Sequence, residues 1–255
     1  MSYFSTITRG QFLLSPFAFV GGATKPKTVF VCGDHEYSGE STLPLFGAEL
    51  KDASLAVLFL RWRRLPLKQL AMINAYARAG KPVIALRTTS HAFSFPAGDE
   101  REVWNRWAPD VFGAAPRWNV EGHSHYGHLS TTRAWVNELA AQDPILKGVA
   151  ADFTAPSWRY NVVPNYPPAK AKILLFGDAI DSNKTAVRNP IARTWSNRYR
   201  GRAFYTSLGH PGDFALEPFQ RLLTNAAFWA LDARTSKSWA GRMKIDVPYR
   251  GVVKT

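Results

Sequence analysis

The first third of the sequence alternates apolar segments with amphipathic ones, and this alternation constrains the fold more than any other feature. The segments are, in order, strand 26–32, helix 41–51, strand 55–60, helix 65–79 and strand 82–86. Pro66 lies near the first helical position of the second helix, where its missing N–H costs no hydrogen bond. Gly80 follows that helix, at the position where helices end in a left-handed residue. Strands and helices joined by short connections predict a parallel sheet with right-handed crossovers.

A second informative segment runs from Ile191 to Leu231 and reads as strand, turn, strand, turn and helix. Its second strand, Arg202–Leu208, alternates and is rich in aromatic residues, as expected of a half-buried pleated surface. The turn Gly209–Gly212 then places the imidazole of His210 at the carboxyl end of that strand, where open α/β sheets bind their ligands. The histidine is therefore a candidate site residue. The alternative is that it only caps the turn.

Composition places the chain among globular proteins with one large domain. It has 255 residues, of which 46% are apolar and 20% charged, and a chain of this length can bury a sizeable core. No apolar run approaches the roughly 18 residues that a transmembrane helix needs. The single cysteine, Cys32, excludes an internal disulfide and a cysteine-based zinc site. We expect it to be a buried thiol on the first strand.

The first 24 residues resemble a short secretory signal. Arg9 precedes the apolar stretch 12–20, which is followed by small residues, in the order of a signal peptide. A signal predicts a mature chain beginning near Thr24 and an extracytoplasmic location, periplasmic or secreted. If the segment is a surface extension instead, the protein is cytoplasmic.

The net charge of +13 is unevenly distributed. Between Lys184 and Lys254 there are 13 Lys and Arg against 4 Asp and Glu, a balance of +9. Such a bias favours acidic surfaces, phosphates or nucleic acid. Because no nucleic-acid-binding motif is present, we interpret it as a solvated basic face, and residues 233–255 as a basic tail. Nucleic-acid binding is the minor alternative, and no oligomeric state is predicted.

Several polar loops follow predicted strands and would converge on one edge of a parallel sheet. The candidate site residues in these loops are Asp34, His35, Glu36, Tyr37, Arg61, Trp62, Arg63, Arg87, Ser90, His91 and His210. Carboxylates, imidazoles and guanidinium groups in one crevice can perform acid–base chemistry and hold an oxyanion or a polyol.

The histidines of the middle segment raise a metal hypothesis. His123, His125 and His128, with an oxygen from Glu121 or Asp34, could form a mixed nitrogen and oxygen site. Their spacing is no established zinc motif, and the alternative is that they face solvent. The sequence has no G-x-S-x-G, G-x-G-x-x-G or Walker A pattern, so a serine elbow and a nucleotide cofactor have no support. No cofactor is predicted, and a divalent metal is left open.

Several motifs, in order, resemble the trehalose-utilisation (ThuA-like) family. They are Gly33–Tyr37 with Glu40, Phe59–Arg63, Gly80–Ile84 leading to Arg87–Phe93, Gly127-His128, Asp143–Val149, and Trp195–His210 with Asn225 and Trp229. The resemblance covers about residues 25–232, which we assign as one domain.

This resemblance implies a flavodoxin-like three-layer α/β sandwich of the glutamine-amidotransferase-like superfamily, with a mostly parallel central sheet. It also implies a role in carbohydrate metabolism, and export. The superfamily's nucleophilic cysteine would fall near Arg87, which argues against amidotransfer, whereas His210 matches its catalytic histidine. Relatives have a further strand and a long connection where this chain has only about 20 residues between its first two strands. One wall of the crevice is therefore expected to be missing.

The leading hypothesis is an acid–base enzyme acting on a sugar, a keto sugar or a glycoside. His210 would be the acid or base, with Asp34 and Glu36 as partners. Substrate binding would fall to His35, Tyr37, Arg61, Trp62, Arg63, Arg87, Ser90, His91, His125 and His128. Hydrolase, lyase and isomerase activities remain open. The alternative is a non-catalytic carbohydrate-binding or interaction module with a degenerate site.

Overall fold

The computed structural model describes residues 27–33, 54–115, 124–127, 130–161, 167–180 and 188–233. The amino-terminal segment 1–24, the loop 34–40, the helix expected at 41–51 and the basic tail after residue 233 lie outside these residues. So do His123 and His128.

Ten strands are present in the described residues: β1 Thr28–Gly33, β2 Leu55–Leu60, β3 Val83–Leu86, β4 Ser124–His125, β5 Thr131–Val136, β6 Asp152–Ala155, β7 Tyr160–Asn161, β8 Lys172–Ile180, β9 Asn189–Ser196 and β10 Arg202–Thr206. Eight of them form one sheet in the order β1-β2-β3-β10-β9-β8-β5-β6, and β4 pairs with β7 in a separate ribbon.

Strand direction divides the large sheet into two halves. The neighbours β1, β2, β3 and β10 are parallel, and every later pair is antiparallel. Six of the eight strands consequently run the same way, and only β5 and β9 are reversed. Because β1, β2, β3 and β10 share a direction, their carboxyl ends meet at one edge.

Helices cover both faces of the sheet. They are α1 Leu67–Arg78, α2 Trp107–Phe112 and α3 Glu217–Ala230. Along β2, Ala56, Leu58 and Leu60 pack with α1 and α2, whereas Leu55 packs with α3. Successive strand residues point to opposite faces, so the two apolar clusters lie on the two sides of the sheet. This is the expected three-layer α/β sandwich.

Sequence patterns located most of these elements. The bounds expected for β2 match the structure, and Gly80 has the predicted left-handed conformation, with φ +69°. Pro66 is the N-cap of α1, one position before the expected one.

The sequence also predicts one helix from about Gly98 to Asp110, and this prediction is wrong. The structure has a 3₁₀ turn at Glu102–Arg106 followed by the short α2. Pro109 has no N–H to continue a regular helix. The amide of Asn105 also bonds both the N–H and the carbonyl of Phe95, which ties the 3₁₀ turn to an extended segment.

No helix among the described residues is both long enough and apolar enough to cross a membrane.

Candidate functional site

Three of the predicted loops meet at the carboxyl edge of the parallel strands. Arg61 and Trp62 follow β2, Arg87 follows β3, and His210 lies shortly after β10. Parallel pairing of β3 with both β2 and β10 brings these ends side by side. The fourth loop, with Asp34, His35, Glu36 and Tyr37, lies outside the described residues.

Arg87 occupies the centre of this edge. Its backbone is left-handed, with φ +43°, at the turn from β3 into a 3₁₀ helix. A non-glycine residue adopts this conformation only where its surroundings hold it there. The Tyr205 hydroxyl donates to the Arg87 carbonyl at 3.0 Å. The side chain is 7% exposed, and its Nη1 donates to the carbonyls of Trp158 at 3.2 Å and Ser207 at 3.1 Å.

The β4–β7 ribbon forms an aromatic wall beside Arg87. The Arg87 Cζ lies 5.3 Å from the Trp158 ring centroid and 5.0 Å from that of Tyr160, within cation–π range. His125 pairs with Tyr160 across the ribbon, and its ring lies 5.7 Å from Trp158. Arg159, between the two aromatic residues, instead stacks over Tyr126 at 4.2 Å.

His210 is held in one orientation by its own turn. It is the N-cap of the 3₁₀ helix Pro211–Ala215, and its Nδ1 accepts the Gly212 N–H at 3.0 Å. A backbone N–H can only donate, so Nδ1 carries no proton, and the proton of the neutral ring lies on Nε2. The two interpretations of this histidine are therefore compatible, since Nδ1 caps the turn while Nε2 presents an N–H.

Burial and the neighbouring charges together favour the neutral form of this imidazole. Burial lowers the pKa of His210 below its ordinary value, the Arg87 charge lowers it further, and Asp213 opposes both by raising it. The ring centroid lies 6.5 Å from that of Trp158, on which Arg87 and His125 also converge. A neutral ring with its proton on Nε2 suits donation to a ligand oxygen.

A buried carboxylate supports the His210 turn from beneath. Asp213 has no exposed surface, and its Oδ1 accepts the Ser157 N–H at 3.0 Å. Its Oδ2 accepts the Ser157 hydroxyl, the Gly209 N–H at 2.7 Å and the His210 N–H at 3.0 Å. These four donors use the carboxylate fully, so its role is to fix the loop that carries His210.

Other predicted residues join this group through ring and hydrogen-bond contacts. His91 is buried, its Nδ1 is 3.0 Å from the Ser90 hydroxyl, and its ring lies 6.1 Å from that of Tyr160. Trp62 packs on His91 at 5.6 Å and carries the Arg61 guanidinium at 4.4 Å. These contacts connect four of the predicted residues to the aromatic wall.

Arg63 is buried, and its backbone N–H donates to the Ala92 carbonyl at 2.7 Å. No contact among the described residues connects its side chain to Arg87 or His210. His128, the remaining predicted binding residue, lies outside the described residues.

The hydrogen bonding of His125 does not favour ligation of a metal through its Nε2 atom. Nδ1 of His125 accepts the Gly127 N–H at 3.0 Å, so its neutral ring also carries the proton on Nε2. A histidine that ligates a metal through Nε2 donates from Nδ1 instead. No cluster of three potential ligands occurs in the described part of the chain.

Four residues of the crevice were not found from the sequence. Trp158 and Tyr160 form the aromatic wall, and Ser157 and Asp213 fix the His210 loop. The segment Ser157–Tyr160 carries no recognisable motif. Asp213 did carry a signal, because an acidic residue three positions after a turn-capping residue is the pattern of a capping box.

Comparison with known proteins agrees with this architecture. Among solved structures, a protein from Parabacteroides merdae described as ThuA-like superposes with a TM-score of 0.59 at 17% identity, covering 88% of this chain and 94% of that one. A second ThuA-like protein, from Bacteroides uniformis, gives 0.56 at 15% identity, with coverages of 83% and 94%. At these identities the similarity establishes the fold.

No curated protein matches the sequence. The family model described as "ThuA: Trehalose utilisation" matches residues 41–230. That match spans well over half of the chain and includes the loops of β2, β3 and β10, and the chain belongs to the ThuA (trehalose utilisation) family.

Proposed function

We propose that the crevice binds a sugar and that His210 acts there as a neutral hydrogen-bond donor. The bond from the Gly212 N–H to Nδ1 carries this proposal, because it assigns the ring proton to Nε2. The family's description, trehalose utilisation, supports a carbohydrate ligand. Trp158 and Trp62, which are both partly exposed, supply flat apolar surfaces that sugar rings pack against.

A neutral imidazole donor stabilises negative charge that develops on an oxygen. A keto sugar provides this at its carbonyl. When a base removes the proton on the neighbouring carbon, the electron pair moves onto the carbonyl oxygen and His210 Nε2–H stabilises it. Arg87 would hold the remaining sugar oxygens. This assignment favours lyase or isomerase chemistry, with Asp34 or Glu36 as the proposed base.

The same geometry also supports the alternative of a non-catalytic module, because His210 and Arg87 are hydrogen-bond donors and not bases. Asp213 is the carboxylate that holds the His210 loop, and its four hydrogen bonds leave it no role as a base. If residues 34–40 supply no catalytic base, the crevice would bind a sugar without converting it to a product.

A thermal-shift screen against neutral sugars, keto sugars and glycosides tests sugar binding. A ligand at 100 times its dissociation constant adds about 2.7 kcal/mol to the free energy of unfolding. His210→Asn is the matched variant, because its side-chain oxygen can still accept the Gly212 N–H while the Nε2–H is lost. We expect a hit in the wild type that weakens in His210→Asn. No hit from any sugar, in a protein that melts cooperatively, would contradict the proposal.

Chromatography of the bound sugar after overnight incubation with the protein distinguishes the enzyme from the non-catalytic module. Product formed by the wild type and not by His210→Asn supports the enzyme. Binding that depends on His210, without product, supports the module.

A further inference from the structure

Arg87 is a buried cation that has no carboxylate partner among the described residues. Its Nη1 contacts are two backbone carbonyls, and the ion pairs in the described part of the chain lie elsewhere. Buried guanidinium groups normally have a counter-charge, because desolvating a cation is costly. The absence of a counter-charge among the described residues is a property of the site that sugar binding alone does not explain.

The guanidinium also has an unused edge. In the described structure Nη1 is the only nitrogen of Arg87 that donates to an acceptor. Neither Nε nor Nη2 is a fully buried atom that lacks a hydrogen-bond partner. Arg159 provides the contrast, since all three of its guanidinium nitrogens are sealed in the interior. The Nε and Nη2 atoms of Arg87 form a planar pair of donors that can make two parallel hydrogen bonds to a planar ligand group.

The groups around this edge are donors or aromatic faces. His210 and His125 present protonated Nε2 atoms, because their Nδ1 atoms accept backbone N–H groups. Trp158 and Tyr160 lie against the guanidinium. Around Arg87 the described residues therefore supply a fixed positive charge and N–H donors, and a complementary ligand supplies acceptors and a negative charge.

We propose that the sugar bound in this crevice is a sugar acid whose carboxylate binds Nε and Nη2 of Arg87. This inference rests on the proposed function and specifies its substrate class as uronates, aldonates or their keto derivatives. A carboxylate is planar and carries one charge, which matches a single guanidinium between aromatic faces. With the carboxylate on Arg87, the Nε2–H of His210 would donate to an adjacent carbonyl or hydroxyl oxygen of the ligand.

Isothermal titration calorimetry with D-glucuronate, D-gluconate, D-glucose, glucose 6-phosphate and acetate tests this inference. We expect at least one sugar acid to bind at least about tenfold more tightly than glucose, a difference of about 1.4 kcal/mol. Acetate should bind weakly because it lacks the sugar ring. Arg87→Gln should abolish the preference, and Arg87→Lys should reduce it because the planar donor pair is lost. Arg198→Gln, an exposed arginine that pairs with Asp110, is the control and should keep the preference.

The outcomes separate this inference from the proposed function. Equal affinity for glucose and the sugar acids would overturn the sugar-acid assignment and leave sugar binding intact. Tighter binding of glucose 6-phosphate would overturn the carboxylate in favour of a phosphate. A preference that persists in Arg87→Gln would place the carboxylate elsewhere. Absence of binding by every sugar would contradict the proposed function itself. If Arg87→Gln fails to fold, the wild-type comparison and Arg87→Lys decide.

Discussion

At the residue scale, the chemistry of the crevice depends on which nitrogen of His210 carries the proton. Gly212 settles this through a single backbone hydrogen bond of 3.0 Å. The sequence located His210 because glycine and proline mark the turn and the preceding strand is easy to recognise. Its tautomer could not be predicted, since it depends on the local path of the turn.

The first prediction concerns pH. The pKa of His210 is lowered in the folded protein, mainly by burial, so the unfolded chain binds more protons in acid. The contribution of His210 to stability is therefore complete above its ordinary pKa of about 6.5 and is lost as the pH falls through the lower folded value. Urea unfolding between pH 7.5 and 5 should show a steeper decline in the wild type than in His210→Asn. Parallel curves of unfolding free energy against pH for the two proteins would contradict the lowered pKa of His210.

The second prediction concerns the carboxylate beneath the turn. Asp213→Asn replaces one acceptor oxygen with an NH₂ group that faces donors from Ser157, Gly209 and His210. Leaving buried donors unsatisfied costs about 1–3 kcal/mol each, so we expect a loss of at least about 2 kcal/mol in urea unfolding. Asp152→Asn, in an exposed pair with Arg133, should have little effect. Similar stability for both variants would show that Asp213 is not the support of the loop.

At the element scale, the apolar pattern predicted the parallel strands well because they are buried on both sides. All four residues of β3 are buried, which produces a short continuous apolar run. The β4–β7 ribbon was harder, because each strand has two residues and is defined by pairing that only the fold creates. This is why Trp158 and Tyr160 were missed although Arg87 was found.

A third prediction tests the junction between α1 and β3. Gly80 has φ +69°, and a Cβ there would lie 2.8 Å from the Tyr199 carbonyl oxygen. Gly98 has φ +81°, but no described atom lies within 4 Å of its added Cβ. Gly98→Ala should cost about 1 kcal/mol from backbone strain alone. Gly80→Ala should cost at least about 1 kcal/mol more because of the contact. Equal losses in chemical denaturation would show that the backbone yields easily at Gly80.

At the scale of the whole molecule, one sheet separates two apolar clusters and brings three loops to a single edge. The family resemblance predicted the three layers. The reversed strands β5 and β9 could not be predicted, because strand direction depends on pairing between distant segments. Since both clusters share the sheet, we expect them to unfold together.

The fourth prediction tests that cooperativity. Phe219, on α3, has no exposed surface and packs edge-on against Phe214, with ring centroids 5.1 Å apart. Phe219→Ala should cost about 3–5 kcal/mol and should shift one common transition. Leu139→Ala is the control, because Leu139 is 95% exposed. Separate transitions followed by near-ultraviolet circular dichroism and tryptophan fluorescence would contradict a single unit.

The central claim is that His210 is a neutral donor with its proton on Nε2. Long-range ¹H–¹⁵N correlation NMR of the protein labelled with ¹⁵N-histidine measures this directly, with the His210 signals assigned by their loss in His210→Asn. At pH 7.5 we predict a protonated Nε2 and an unprotonated Nδ1. A ring protonated on Nδ1, or on both nitrogens, at that pH would contradict the account.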